Sequence, residues 1–172
     1  MYINIISACD QNGSIGTDDN TLPWKYMKED MDYFRKMTFG GVLLMGRKTF
    51  ESMGSRPLPG RVNIVLTSSS DALDGVLTVS SIDEALSIAG RRGIWVIGGG
   101  TIYRQCLEDK YVSFVNEIHL TIIDKVYSGC AVKFPIDAIG KRFNLKSQRS
   151  IYNKKNDATC QFYVFANTCR SF

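Results

Sequence analysis

Histidine occurs once in this chain, at His119, and the lack of a second excludes metal sites of the H-E-x-x-H type. His119 lies within the apolar alternation of a predicted strand, which suits a structural or surface imidazole better than the base of a Ser-His-Asp triad. Cysteine is sparse and scattered: Cys9, Cys106, Cys130, Cys160 and Cys169 are odd in number and never form C-x-x-C. That spacing argues against a disulfide framework or a zinc cluster and predicts free thiols in a reducing cytoplasm, with no metal site. No apolar run exceeds the five residues 162–166, so no membrane-spanning segment is expected. Met1-Tyr2-Ile3-Asn4 has no basic stretch ahead of an apolar segment, so no secretory signal is expected. A strong excess of one charge is also missing. Lys and Arg number 21 against 17 Asp and Glu, a net +4. That balance suits a small anionic ligand and is too mild to predict nucleic acid as a partner.

What is present is 44% hydrophobic and 22% charged residues over 172 positions, a globular composition in a chain long enough to bury a core. One domain spanning 1–172 is expected, since neither repeats nor low-complexity linkers interrupt it. Strand-like stretches fall at 2–9, 42–46, 61–66, 76–79, 93–97, 117–123, 143–151 and 159–167; helix-like stretches fall at 26–37, 49–52, 82–89 and 101–109. Their alternation predicts an α/β layered fold with parallel pairing in the middle. The unbroken apolar runs 42–45 and 94–97 fit strands buried on both faces. The last two strands have no helix between them and predict an antiparallel pair at one edge. Ser81-Ile82-Asp83-Glu84 reads as a capping box in which the Glu reaches back to the Ser. The apolar face of Ile82, Ala85, Leu86 and Ala89 follows, and Gly90 ends that helix.

On the predicted helix 26–37, Met27, Met31 and Phe34 share one face, while Lys28, Glu29, Asp32, Arg35 and Lys36 face solvent. Asp30, three residues after Met27 and four before Phe34, falls on the apolar side. A carboxylate there is costly unless something pairs with it. Helix geometry leaves two readings open: a boundary or Arg-paired Asp, and a carboxylate offered to a ligand's hydrogen-bond donors. Gly46-Arg47-Lys48-Thr49 follows a predicted strand and opens a helix, an anion site whose two cations suit a phosphate monoester; a solvated basic turn is the alternative. The stretch from Gly41 only mimics a Walker A motif, because Arg47 takes the lysine position and strand formers fill the interval. Ile97-Gly98-Gly99-Gly100-Thr101-Ile102-Tyr103 repeats the arrangement without the Rossmann fingerprint, whose last glycine would fall on Tyr103. Two such sites in one small sheet point to a dinucleotide. The segment 9–24 has the length of a lid or an irregular surface loop. Lys141, Arg142, Lys146, Arg149, Lys154 and Lys155 form an acid-free stretch that reads as a solvated hairpin face, with a nucleic-acid-binding surface as the alternative.

Taken in order, the residues resemble dihydrofolate reductase over essentially the whole chain. The resemblance rests on Ile15-Gly16, Leu22-Pro23-Trp24, Asp30 with Phe34, the run 45–52 around Gly46-Arg47-Lys48-Thr49, Pro57-Leu58-Pro59-Gly60-Arg61, and Val96-Ile97-Gly98-Gly99-Gly100. It implies an α/β single domain with a central eight-stranded, mostly parallel mixed sheet and four flanking helices. It also implies NADPH-dependent reduction of 7,8-dihydrofolate to 5,6,7,8-tetrahydrofolate by a monomer that also binds antifolates.

By the same resemblance, Asp30, Leu22 and Trp24 would form the catalytic centre, with Asp30 holding the pterin and Thr121 supporting its carboxylate. Ile6, Met31, Phe34, Met53 and Leu58 would line the folate pocket, and Arg61 would grip the glutamate carboxylate. The cofactor would meet Ala8, Ile15 and Gly16 near the nicotinamide. Gly46, Arg47, Lys48, Thr49, Leu66, Thr67 and Ser68 would take the adenosine phosphate end, and Ile97, Gly98, Gly99, Gly100, Thr101, Ile102 and Tyr103 the pyrophosphate side. A cis peptide would fall at Gly98–Gly99. The chain departs from the family pattern in three places. One extra residue separates Trp24 from Asp30, which brings Glu29 into competition; the apolar face and the spacing to Phe34 favour Asp30. Ser55 is inserted before Arg56. Thr101 stands where some members carry Arg, leaving more of the phosphate contact to Arg47 and Lys48. The related reductase of riboflavin synthesis shares the implied fold and would lack the combination of Trp24, Asp30 and Arg61.

Overall fold

The computed structural model describes residues 1–17 and 21–168. Cys169 and the Asp18-Asp19-Asn20 run of the expected lid lie outside them. The β-branched, apolar runs become strands because their side chains pack well on a pleated surface. These are β1 (Ile3–Asp10), β2 (Ser14–Gly16), β3 (Val42–Gly46), β4 (Val62–Leu66), β5 (Leu77–Val79), β6 (Ile94–Gly98), β7 (Val115–Ile123), β8 (Val132–Lys133), β9 (Phe143–Asn153) and β10 (Ala158–Asn167). Eight of them form one sheet in the order β5-β4-β3-β6-β1-β7-β10-β9, while β2 and β8 pair separately. In the large sheet only β10 runs against its neighbours, β7 and β9. The mixed, mostly parallel sheet and its antiparallel edge match the sequence reading.

The helices are α1 (Lys28–Thr38), α2 (Arg47–Ser52), α3 (Ile82–Ala89), α4 (Gly100–Leu107) and the one-turn α5 (Asp109–Val112). Side chains of α3, α4 and α5 cover one face of the sheet, where Ile82, Leu86, Ile102 and Val112 join Ile3, Ile5, Val42, Leu44 and Val96 in the main core. On the other face Phe50 of α2 packs on Leu43, Met45 and Val65, and Met27 packs with Trp24, Ile123 and Phe162. The run 42–45 thus alternates between two cores, as an unbroken apolar strand should. Each of these fully buried side chains is worth about 1.5–3 kcal/mol in area removed from water.

Three local expectations need correction. The helix expected over 101–109 breaks at Glu108, which is extended (φ −73°, ψ 159°) and separates α4 from α5. The β2–β8 ribbon was not legible, because three- and two-residue strands carry no alternation to detect. At α3 the Ser81 hydroxyl accepts from the Glu84 amide at 3.2 Å as expected. The Glu84 carboxylate, however, accepts from the Ser80 amide at 2.7 Å, one residue earlier than a reciprocal box requires.

Candidate active site

Leaving β1, the chain builds β3, β4 and β5 on one side, returns through β6 and crosses to β7 on the other. Ligand crevices in open parallel sheets form outside the strand carboxyl ends at such a reversal. A cavity of about 430 Å³ opens there, within the range of small-ligand sites. Ile6 and Ala8 of β1, Ile15 and Gly16 of β2, and Leu22 line it from one side; Asp30, Met31 and Phe34 of α1 line it from another. Lys48, Thr49 and Met53 come from α2 and its end, and Ile97, Gly98, Gly99, Gly100, Thr101 and Tyr103 from the β6–α4 junction. Five lining residues went unforeseen: Ser7, Thr17, Thr21, Ser52 and Val132. Ser52, three residues past Thr49 on α2, was recoverable from helical spacing. Val132 enters only through the β2–β8 pairing.

Asp30 is the one acid lining the cavity among the described residues, and it is half-buried. Burial pushes its carboxyl up to about 6, and a hydrogen bond from the Thr121 hydroxyl offsets part of that rise. No arginine pairs with it among the described residues, so the open choice resolves to a carboxylate facing a cavity. Glu29, expected to face solvent, is instead half-buried and accepts a hydrogen bond from the Asn153 side chain of β9. It does not line the cavity. One turn beyond Asp30 is Tyr33, whose hydroxyl lies 2.6 Å from Nδ1 of the buried His119. Nε2 of His119 lies 3.0 Å from Glu117 Oε2. Desolvation lowers the imidazole's pKa despite the nearby Glu117. A carboxylate only accepts, so Nε2 carries the proton and Nδ1 accepts from Tyr33. The single histidine is therefore a structural bond between α1 and β7, not an acid in the cavity.

The glycine run brings backbone close to the cavity. A Cβ on Gly98 would lie 2.6 Å from Thr49 Cγ2, and Gly99 turns the chain at φ +96°. No cis peptide occurs among the described residues, so the expected cis Gly98–Gly99 bond is not seen; the positive φ of Gly99 makes the turn. Two helix starts meet at the cavity, at Lys48-Thr49 and at Gly100-Thr101, and the first amides of a helix have no intrahelical acceptor, which suits them to an anion. Residues able to hold a dinucleotide are thus present. Parallel pairing of β3 with β4 brings Gly46 level with Leu66, so Thr67 and Ser68 leave the sheet beside Arg47. None of these five lines the cavity itself, nor does Ile102, which is buried beneath Gly46.

Four other expected residues also lie outside the lining. Trp24 is buried at 7% exposure and packs its ring 6.0 Å from that of Tyr127. Thr121 is buried and meets the cavity only through Asp30. Leu58 packs into the Phe50 cluster, its amide donating to Asn63 Oδ1 at 3.0 Å. Arg61 donates to Thr38 Oγ1 at 3.2 Å and to the Pro59 carbonyl at 3.1 Å, with its guanidinium 5.9 Å from the Phe34 ring centre. It is therefore held next to a cavity residue without entering the cavity. In the basic stretch, Lys146 pairs with Glu117 at 2.5 Å, Arg142 with Asp109 at 3.0 Å, and Arg149 stacks over Phe162 at 4.5 Å. Those cations serve internal contacts.

Fold and cavity define an α/β protein with a carboxylate-bearing cleft at a parallel-sheet switch point, flanked by two helix starts. The family model described as dihydrofolate reductase matches residues 2–167. The chain belongs to the dihydrofolate reductase family. It is 40% identical over 122 residues to the bifunctional dihydrofolate reductase-thymidylate synthase of Paramecium tetraurelia, covering 70% of this chain and only 25% of that longer protein. The dihydrofolate reductase of Neisseria gonorrhoeae is 35% identical over 156 residues, covering 90% of this chain and 92% of the relative. Among solved structures, dihydrofolate reductase from Enterococcus faecalis complexed with NADP(H) and RAB-propyl superposes with a TM-score of 0.85 at 29% identity, covering 97% and 96% of the two chains.

Proposed function

We propose that this chain catalyses the NADPH-dependent reduction of 7,8-dihydrofolate to 5,6,7,8-tetrahydrofolate. The observation that carries this reading is Asp30. It is the one carboxylate lining the cavity among the described residues, raised to about 6 and backed by Thr121, with apolar side chains, hydroxyls and two helix starts around it. Such a group is matched to a ligand edge bearing several N–H donors, because those donors replace the water that burial removed. Ionised Asp30 then holds the pterin amino group and ring nitrogen and raises the basicity of N5. Thr121 keeps the carboxylate aimed. Met31, Phe34, Ile6 and Met53 surround the ring system and exclude water, which strengthens each polar contact.

Leu22, 56% exposed at the cavity, covers the reacting face and leaves passage for the water that protonates N5, since no other acid among the described residues lines the site. Trp24 acts by packing the start of α1. NADPH, when bound, supplies the hydride. The backbone of Gly98, Gly99 and Gly100 with Thr101 and Tyr103 would hold its pyrophosphate side, and Ala8, Ile15 and Gly16 its nicotinamide end. Arg47 and Lys48, with Thr67 and Ser68 beside them, would hold its adenosine phosphate end. Leu58 and Arg61 extend the folate site outward, Arg61 toward the glutamate carboxylate. We place this chemistry in one domain acting as a monomer in a reducing cytoplasm, consistent with free thiols at Cys9, Cys106, Cys130 and Cys160. No described helix is long and apolar enough to cross a membrane.

The test is the loss of NADPH absorbance when dihydrofolate is added to the purified chain. Consumption that requires dihydrofolate and is blocked by methotrexate supports the reading. Consumption indifferent to dihydrofolate overturns it.

A further inference from the structure

The two cations expected to meet the cofactor's phosphate are in different states. Lys48 is exposed, lines the cavity and has no ion pair among the described residues. Arg47 is already occupied. Its Nε donates to Glu51 Oε1 at 2.8 Å, one turn along α2, and its Nη1 donates to Asp71 Oδ2 at 3.1 Å. The Glu51 contact is local to the helix. The Asp71 contact comes from the loop after β4, and that loop is built to present it. Thr67 Oγ1 accepts from the Ser69 amide at 3.1 Å, the Ser69 hydroxyl donates to Asp71 Oδ2 at 2.7 Å, and the Asp71 amide donates back to Ser69 Oγ at 3.2 Å. Asp71 Oδ2 is thus shared between Ser69 and Arg47, and its charge sits on the guanidinium edge that a phosphate would need.

We propose that Asp71 competes with the cofactor's 2′-phosphate for Arg47 and thereby sets how strongly this chain prefers NADPH over NADH. The inference rests on the reading of Arg47 given above. A phosphate monoester brings a larger charge than the carboxylate and more acceptor oxygens, so it displaces Asp71 from the guanidinium. Displacement leaves Asp71 still bonded to Ser69 and near the incoming anion, so part of the binding free energy is lost to like-charge repulsion. NADH carries no charge at that position and is indifferent to Asp71. The side chain is therefore a brake on phosphate affinity, placed by the Thr67–Asp71 loop, and it identifies a specificity-determining residue outside the cavity.

Asp71→Asn keeps the shape and the Ser69 hydrogen bond and removes the charge. The intact protein is titrated with NADPH and with NADH at low salt, following quenching of Trp24 and Trp95 fluorescence. Asp71→Asn should tighten NADPH about two- to fivefold, the scale of an exposed ion pair, and leave NADH unchanged. The gain should vanish at high salt, where exposed charges are screened. Unchanged or weaker NADPH binding overturns the proposal, as does an equal gain for NADH. Arg47→Gln is the companion: it should erase most of the NADPH preference and make Asp71→Asn silent. If Arg47→Gln leaves the NADPH-to-NADH ratio intact, both the proposal and the placement of the phosphate fall. If the two variants behave as expected but dihydrofolate drives no NADPH oxidation, the proposed reaction falls and the role of Asp71 stands.

Discussion

Replacing Asp30 by Asn separates what the carboxylate does for chemistry from what it costs the fold. Burial lifts its pKa from 3.8 to about 6, with Thr121 pulling the other way. A raised carboxyl pKa means that the folded chain binds the proton more tightly than the unfolded one, so carrying the charge opposes folding. The penalty is absent below 3.8, where both states are protonated; it grows up to about 6 and is full above that. At about 1.4 kcal/mol per tenfold change in proton affinity, it reaches about 3 kcal/mol at pH 7. Asn keeps the shape and a partner for Thr121 without the charge. Ligand-free Asp30→Asn should therefore be more stable than the parent by about 2–3 kcal/mol at pH 7, raising Tm by about 5–10 °C, and equal to it near pH 3.5. Urea unfolding at pH 3.5, 5 and 7 reads this directly. Reduction of dihydrofolate should meanwhile fall by orders of magnitude at pH 7 and recover in part in acid, where the substrate arrives already protonated. A stability difference that does not change with pH, or a variant less stable at pH 7, refutes the burial argument. Near-normal turnover refutes the catalytic one. Glu29→Gln is the control: it should cost about 1 kcal/mol through the Asn153 contact and leave turnover almost unchanged.

Arg61→Ala should raise the Kd of dihydrofolate and methotrexate while barely changing that of antifolates without a glutamate, as measured by fluorescence titration; equal losses for both classes would point to collapse of the segment 57–61. Gly98→Ala places a methyl 2.6 Å from Thr49 Cγ2 and should cost about 1–3 kcal/mol in urea unfolding, with weaker NADPH binding; full stability would show that the β6–α4 turn has room. Tyr103→Phe removes the 2.9 Å hydrogen bond to the Ile6 carbonyl and should destabilise by about 1–3 kcal/mol, since the buried acceptor loses its partner. A shift in Tm near zero would mean that water takes the place of the hydroxyl.

The α/β class, the parallel centre and the antiparallel edge were legible in the sequence because they follow from local periodicity and from which strands are separated by helices. Asp30 was legible for a related reason: helical spacing places it beside Met27, Met31 and Phe34, whatever the rest of the chain does. The run Gly46-Arg47-Lys48-Thr49 and the three glycines at 98–100 declared two strand-to-helix turns by the same local logic. What tertiary structure alone decided is the set of contacts between segments far apart in the chain. Glu29 looked solvated by helical phase, yet β9 brings Asn153 to it. His119 became a neutral bond between α1 and β7 only because Tyr33 packs against it across 86 residues. Arg47 reads as a free cation until the loop after β4 delivers Asp71 to it. Periodicity records which face of an element is apolar, but a charge or hydrogen bond is completed by whatever group the fold brings within about 3 Å, and that choice is made by packing between distant segments.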